Sequence, residues 1–128
     1  MTTRVNNWSE RGQSTVEVAL VLPFVVLLLF LVVQVGLIVH DQTLVTYAAR
    51  EAARAASVSN DPSAPRRAAI AGGGLDPGRV RVEVHGRGAI GSYLEVSITY
   101  VAVTDLVLIG PLLPDLALHA EATMRVEN

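Results

Sequence analysis

The run VALVLPFVVLLLFLVVQVGLIV, Val18–Val39, decides how the rest of this chain is read. It holds 22 consecutive residues without a charge, and a helix that crosses a bilayer needs about 20. A cleavable secretory signal has an apolar core of about 7–15 residues followed by an A-x-A-like site. This run is longer and ends in His40-Asp41-Gln42. A membrane-spanning helix is therefore expected. Pro23 lies in its first two turns and removes one helical hydrogen bond, so it either kinks the helix or is a proline the membrane tolerates. Gln34 and Gly36, in the distal half, mark either a helix–helix contact or an ordinary polar end.

Outward from the run, the composition agrees. The chain is 51% hydrophobic and 17% charged, against roughly 25% charged in an average soluble domain. Its 128 residues leave room for one small domain beside the span. The net charge of −2 gives no electrostatic case for nucleic acid. With no cysteine, disulfides, thiolate nucleophiles and cysteine metal sites are excluded. Arg4 and Arg11 flank the span more closely than Arg50 and Arg54 do on the other side. That asymmetry favours a cytoplasmic N-terminus.

Immediately before the span stands RGQSTVE, Arg11–Glu17. A charge at the bilayer centre costs roughly 2.5–3.5 kcal/mol even on the lenient insertion scale. Glu17 is therefore either a shallow interfacial charge or a charge with a partner. Gly12, with Glu17 five residues further on and an apolar run behind it, resembles a type IV prepilin (class III) signal. Glycine admits the backbone to a peptidase without side-chain clash. A cut between Gly12 and Gln13 precedes the span, so the product keeps its anchor.

Joined to AAREAAR, Ala48–Arg54, and to the Leu-Val-Leu-Pro that ends at Pro23, this N-terminal half resembles the TadE-like family, small pseudopilins of the tight-adherence (Tad) pilus system. Val18 stands where major pilins of that system carry an aromatic residue, and the distal domain is larger than theirs, which fits a minor, TadE-type component. Gln13 replaces the phenylalanine usual at the mature N-terminus of type IV pilins. The resemblance implies prepilin peptidase, other pilin or pseudopilin subunits, Tad assembly proteins and the lipid bilayer as partners, with no cofactor. It also implies that Glu17 pairs with the Gln13 amine of a neighbouring subunit. A carboxylate costly in hydrocarbon becomes acceptable beside an ammonium, and mispairing is penalised.

No glycine or proline interrupts Leu37–Ser59, so the helix is expected to continue out of the membrane, about 65 Å from Thr15 to Val58 at 1.5 Å per residue. At 100° per residue, Thr43, Tyr47, Arg50, Glu51, Arg54 and Ser57 share one face. Leu44, Val45, Ala48, Ala49, Ala52, Ala55 and Ala56 make the other. Arg50, Glu51 and Arg54 are either a solvated face or a contact to another subunit. Asn60-Asp61-Pro62 and Pro65 end the helix.

A short helix over Pro65–Ala71 is expected to stop at Gly72-Gly73-Gly74, read as a flexible turn and not a phosphate loop. Arg79–His85, Leu94–Tyr100 and Leu116–Val126 alternate with period two, and Gly86–Gly91 joins the first two as a hairpin. The fold expected is α+β, a long N-terminal helix packed on a small antiparallel three-stranded sheet. The parts are a leader over 1–12, a transmembrane and extended helix over 13–58, a linker with a short helix over 59–79 and an extracytoplasmic β domain over 80–128. The apolar stretch Asp105–Leu116 packs inward, touches the membrane or meets a partner. His85 and His119 fall on polar strand faces and are candidate neighbours, without metal-ligand spacing. No nucleophile constellation is present, so catalysis is not expected.

Two functions follow. One is a membrane-anchored minor pilin, processed by prepilin peptidase and acting in Tad-type assembly or adhesion at the inner membrane. The other is an unprocessed single-pass anchor presenting a small extracytoplasmic binding domain.

Overall fold

The computed structural model describes residues 8–103 and 114–127. Most of the apolar stretch 105–116 lies outside the described residues. The order is α1 (Trp8–Val58), α2 (Ala64–Gly73), β1 (Val80–His85), β2 (Tyr93–Ala102) and β3 (Leu116–Arg125). This is the expected α+β arrangement. The chain divides into two compact units, Met1–Val35 and Gly36–Asn128.

In the first unit α1 starts at Trp8, ahead of Gly12, the expected last residue of the leader. Its apolar side chains are exposed around the helix, from Val16 at 59% to Val35 at 52%. A helix apolar on every side is suited to a membrane rather than to water, and α1 is long and apolar enough to cross one.

The second unit is built on alanine. Val45, Ala48, Ala49, Ala52, Ala53 and Ala56 are wholly buried, spaced three and four apart so that they form one stripe along α1. Small side chains let a sheet approach closely. The sheet answers with Leu94, Val96 and Ile98 from β2 and Leu118 and Ala120 from β3. Its order is β1-β2-β3, both pairs antiparallel. Strand alternation turns Arg81, Glu83, Glu95, Thr99, His119 and Glu121 to the opposite, outer face.

Four readings change. Ser57, assigned to the polar face, is buried at 4% exposure. Its hydroxyl donates to the Arg54 carbonyl, and its own carbonyl accepts the Glu127 N–H at 3.0 Å, so the chain's C-terminal end covers it. Ala53, left off the apolar face, belongs to the core. Gly72 and Gly73 are helical, and only Gly74 ends α2, in the left-handed region with φ 61° and its N–H on the Ile70 carbonyl. A Cβ on Gly73 would lie 2.7 Å from the Ala48 Cβ and 3.2 Å from the Leu44 carbonyl oxygen. The paired glycines are a close helix crossing, not a flexible turn. Finally, His85 registers with Glu95 and His119 with Thr99, on strands separated by β2, so the two histidines are not neighbours.

The segment joining α1 to α2 is fixed by Asp61. Its carboxylate accepts from the Ser63 N–H at 2.9 Å, the Ser63 hydroxyl at 2.8 Å and the Arg67 guanidinium at 2.7 Å. These donors, the Ser63 N–H foremost, hold the carboxyl at about 2, below its ordinary 3.8.

Candidate membrane and assembly site

In the first unit the residues of interest all lie on α1. Gly12 and Gln13 are helical and exposed, so the bond between them lies inside the helix. Glycine is among the poorest helix formers, by about 1 kcal/mol relative to alanine, which lowers the cost of opening the backbone there. Glu17 is exposed one turn beyond Gln13, and residues four apart on a helix are neighbours. An open groove runs from Glu17 past Val18, Val21, Leu22 and Val25 along the same side. One carboxylate thus heads an otherwise apolar strip. Pro23 sits inside α1 and, lacking an N–H, cannot donate to the Ala19 carbonyl four residues back. Gln34 is 8% exposed. Its side-chain oxygen has no hydrogen-bond partner among the described residues.

In the second unit, Arg50 and Arg54 are exposed, whereas Glu51 is half-buried. The Glu51 stem faces α2, since a Cβ on Gly72 would meet its Cγ at 2.9 Å. The three residues therefore do not form one outward patch. Arg50 belongs instead to an open stripe with Ile38, Val39, Gln42, Thr43, Thr46 and Tyr47.

Residues 12–54 match the family model described as TadE-like protein. The match covers about a third of the chain, which over that stretch is similar to the TadE-like family. The matched segment holds Gly12, Glu17, Pro23 and four of the buried alanines of α1, Ala48, Ala49, Ala52 and Ala53. That segment lies on a helix long and apolar enough to cross a membrane, which fits a component of the Tad pilus. No curated protein and no solved structure matches the chain.

Among the described residues no group of three or more His, Asp or Glu side chains could hold a metal ion. His85 lies 3.7 Å from Glu83, and His119 Nδ1 lies 3.1 Å from the Thr99 hydroxyl. Sequence reasoning did not single out Gln42. Its side-chain amide donates to the His119 carbonyl at 2.9 Å and ties β3 to α1. Nothing local signals that bond, because its partners are 77 residues apart.

Proposed function

We propose that the chain is a membrane-anchored minor pilin or pseudopilin, cut by prepilin peptidase between Gly12 and Gln13 and acting in Tad-type pilus assembly or adhesion. It is anchored in the inner membrane with its N-terminus cytoplasmic and its β domain outside. The single observation that supports this best is the lone Glu17 at the head of an exposed apolar helix, five residues after Gly12, within the TadE-like match. Cleavage creates a positive amine on Gln13, one helical turn from Glu17. In a free subunit that amine lies within reach of its own carboxylate, and in a filament a neighbour's amine replaces it. The register in which the charges meet is the one that leaves neither unpaired in hydrocarbon. Pro23 loosens α1 between this pair and the rest of the span. Arg50 and Arg54 contribute an exposed basic edge for a neighbouring subunit, with Glu51 held back against α2.

Mass spectrometry of the membrane-extracted protein tests the reading. Co-expressed with the peptidase, the chain is expected to begin at Gln13; an intact leader under those conditions rejects it. One observation favours the unprocessed anchor with a small binding domain, namely that the bond to be cut lies inside α1. The same spectrum separates the two.

A further inference from the structure

We infer that copies of this chain anchored in one bilayer associate head to tail. The Arg50–Arg54 edge of one copy meets the Glu83, Glu95 and Glu121 carboxylates on the outer sheet face of the next. The inference takes the membrane anchorage and the basic edge from the preceding reading, and it does not depend on cleavage.

The two surfaces lie on opposite sides of the second unit. Arg50 and Arg54 are exposed on the side of α1 turned away from the buried alanine stripe. Glu83, Glu95 and Glu121 are exposed on the sheet face turned away from α1. The register places Glu83, Ser97 and Glu121 on one row and His85, Glu95 and Thr123 on the next. Neither row holds an arginine. Arg81 lies one row nearer the membrane, and Arg125 lies one row further out with its guanidinium donating to the Gly91 carbonyl at 3.2 Å. Glu83 lies 3.7 Å from His85, whereas among the described residues Glu95, Glu121, Arg50 and Arg54 form no ion pair. The acids nearest the basic edge on α1 are both half-buried. Glu51 has its stem against α2, and Asp41 stands about 14 Å lower on the helix than Arg50.

The heights agree. Two bonds align the sheet with α1 inside this unit: the His119 carbonyl accepts from Gln42, and the Glu127 N–H donates to the Ser57 carbonyl. The strands therefore run along the helix axis, with His119 level with Gln42. Arg50 stands about 12 Å and Arg54 about 18 Å past Gln42. The Glu83–Glu121 row stands about 7 Å and the Glu95 row about 13 Å past His119. Helical side chains lean toward the N-terminus, which brings each guanidinium down toward its row. The spacings agree as well, about 6 Å between the arginines and about 7 Å between the rows. Two copies held at one depth by the same apolar run thus present arginines and carboxylates to each other in step. Exposed ion pairs are individually weak, and confinement to one membrane plane supplies the effective concentration that a contact of this kind needs. Because the two surfaces differ and lie on opposite sides, each contact leaves one of each free, and the association repeats along a row.

The chain has no cysteine, so introduced thiols report the contact without background. Tagged full-length R54C and untagged full-length E95C are mixed in phospholipid vesicles and treated with a short bismaleimide. Both positions are exposed, so neither change disturbs the core. A mixed R54C–E95C product is expected, with little product from either variant alone. Reversing the remaining charge, as R50E/R54C against E95C, replaces attraction by repulsion and is expected to lower the yield roughly three- to thirty-fold. E95C/E121R on the other chain is expected to restore it. Inserted chains that give no mixed product overturn the proposal, and so does R54C alone linking as well as the mixture, which would mean a two-fold helix contact. A yield unmoved by R50E overturns it too. In native membranes, R54C linking to another protein in place of E95C assigns the edge to a different partner and overturns the self-contact. A chain that fails to insert removes the anchorage and this proposal together, whereas an intact leader on cross-linked chains rejects the cleavage reading and leaves this one standing.

Discussion

Gly73→Ala is the substitution that best isolates how the second unit is held together. Gly73 has no left-handed backbone requirement, since the positive φ angles belong to Gly74, Gly86 and Gly91. By helix propensity alone, alanine there is favourable by up to about 1 kcal/mol. The added methyl would meet the Ala48 Cβ at 2.7 Å, the Leu75 Cγ at 3.1 Å and the Leu44 carbonyl oxygen at 3.2 Å. None of these is the free end of a long side chain. Ala48 is wholly buried against the sheet and cannot retreat, so α2 must lift from α1. Overpacking of this kind costs about 1–3 kcal/mol, which exceeds the propensity gain and leaves a net loss of about 1–2 kcal/mol. Gly72→Ala is the matched control, because its closest contacts are the Cγ and Cβ of the half-buried Glu51 side chain, at 2.9 and 3.2 Å. The Cγ can swing aside about the Cα–Cβ bond, and the tight Cβ contact that remains offsets the helix-propensity gain, so the expected net change is within about 0.5 kcal/mol. Hydrogen exchange of the full chain in nanodiscs reads both. Amides of α2 in G73A are expected to lose protection by a factor of roughly 5–30, with G72A near the parent. Protection in G73A equal to or above the parent's would refute the close-crossing account.

Glu17→Ala is expected to leave cleavage after Gly12 intact and to lower incorporation into sheared filaments, read by immunoblot beside the mass of the membrane pool. Unchanged incorporation removes the carboxylate's role in register. For Asp61 the folded carboxyl lies below the ordinary value, so its contribution is fully present above about 3.8 and lost as pH falls toward about 2. Exchange at the α1–α2 junction is expected to rise over that window in the parent and to show no such step in Asp61→Asn. Leu94→Ala empties a large, fully buried site on β2, at 1% exposure, and is expected to cost about 2–5 kcal/mol. Urea-dependent exchange of β1 to β3 measures it, and a loss below about 1 kcal/mol would show that the alanine stripe collapses onto the gap.

What could be read without coordinates was whatever depends on neighbours in the chain. Val18–Val39 reads as a helix able to cross a membrane because of its length and lack of charge, and both are properties of the run itself. The strands were legible because residues two apart share a face, so Arg79–His85, Leu94–Tyr100 and Leu116–Val126 fall within a residue or two of β1, β2 and β3. Gly12 and Glu17 draw notice for the same reason, being five residues apart at the head of the run, and their roles await the cleavage and filament assays. Tertiary structure decided the rest through contacts between distant segments. Ser57 is inside because Glu127 reaches back over it, and Gly72-Gly73 stays helical because Ala48 and Glu51 lie against it. His119 sits beside Thr99 and not His85 because register is set by pairing across strands. Periodicity says which way a side chain turns; only packing across the chain says what it meets there.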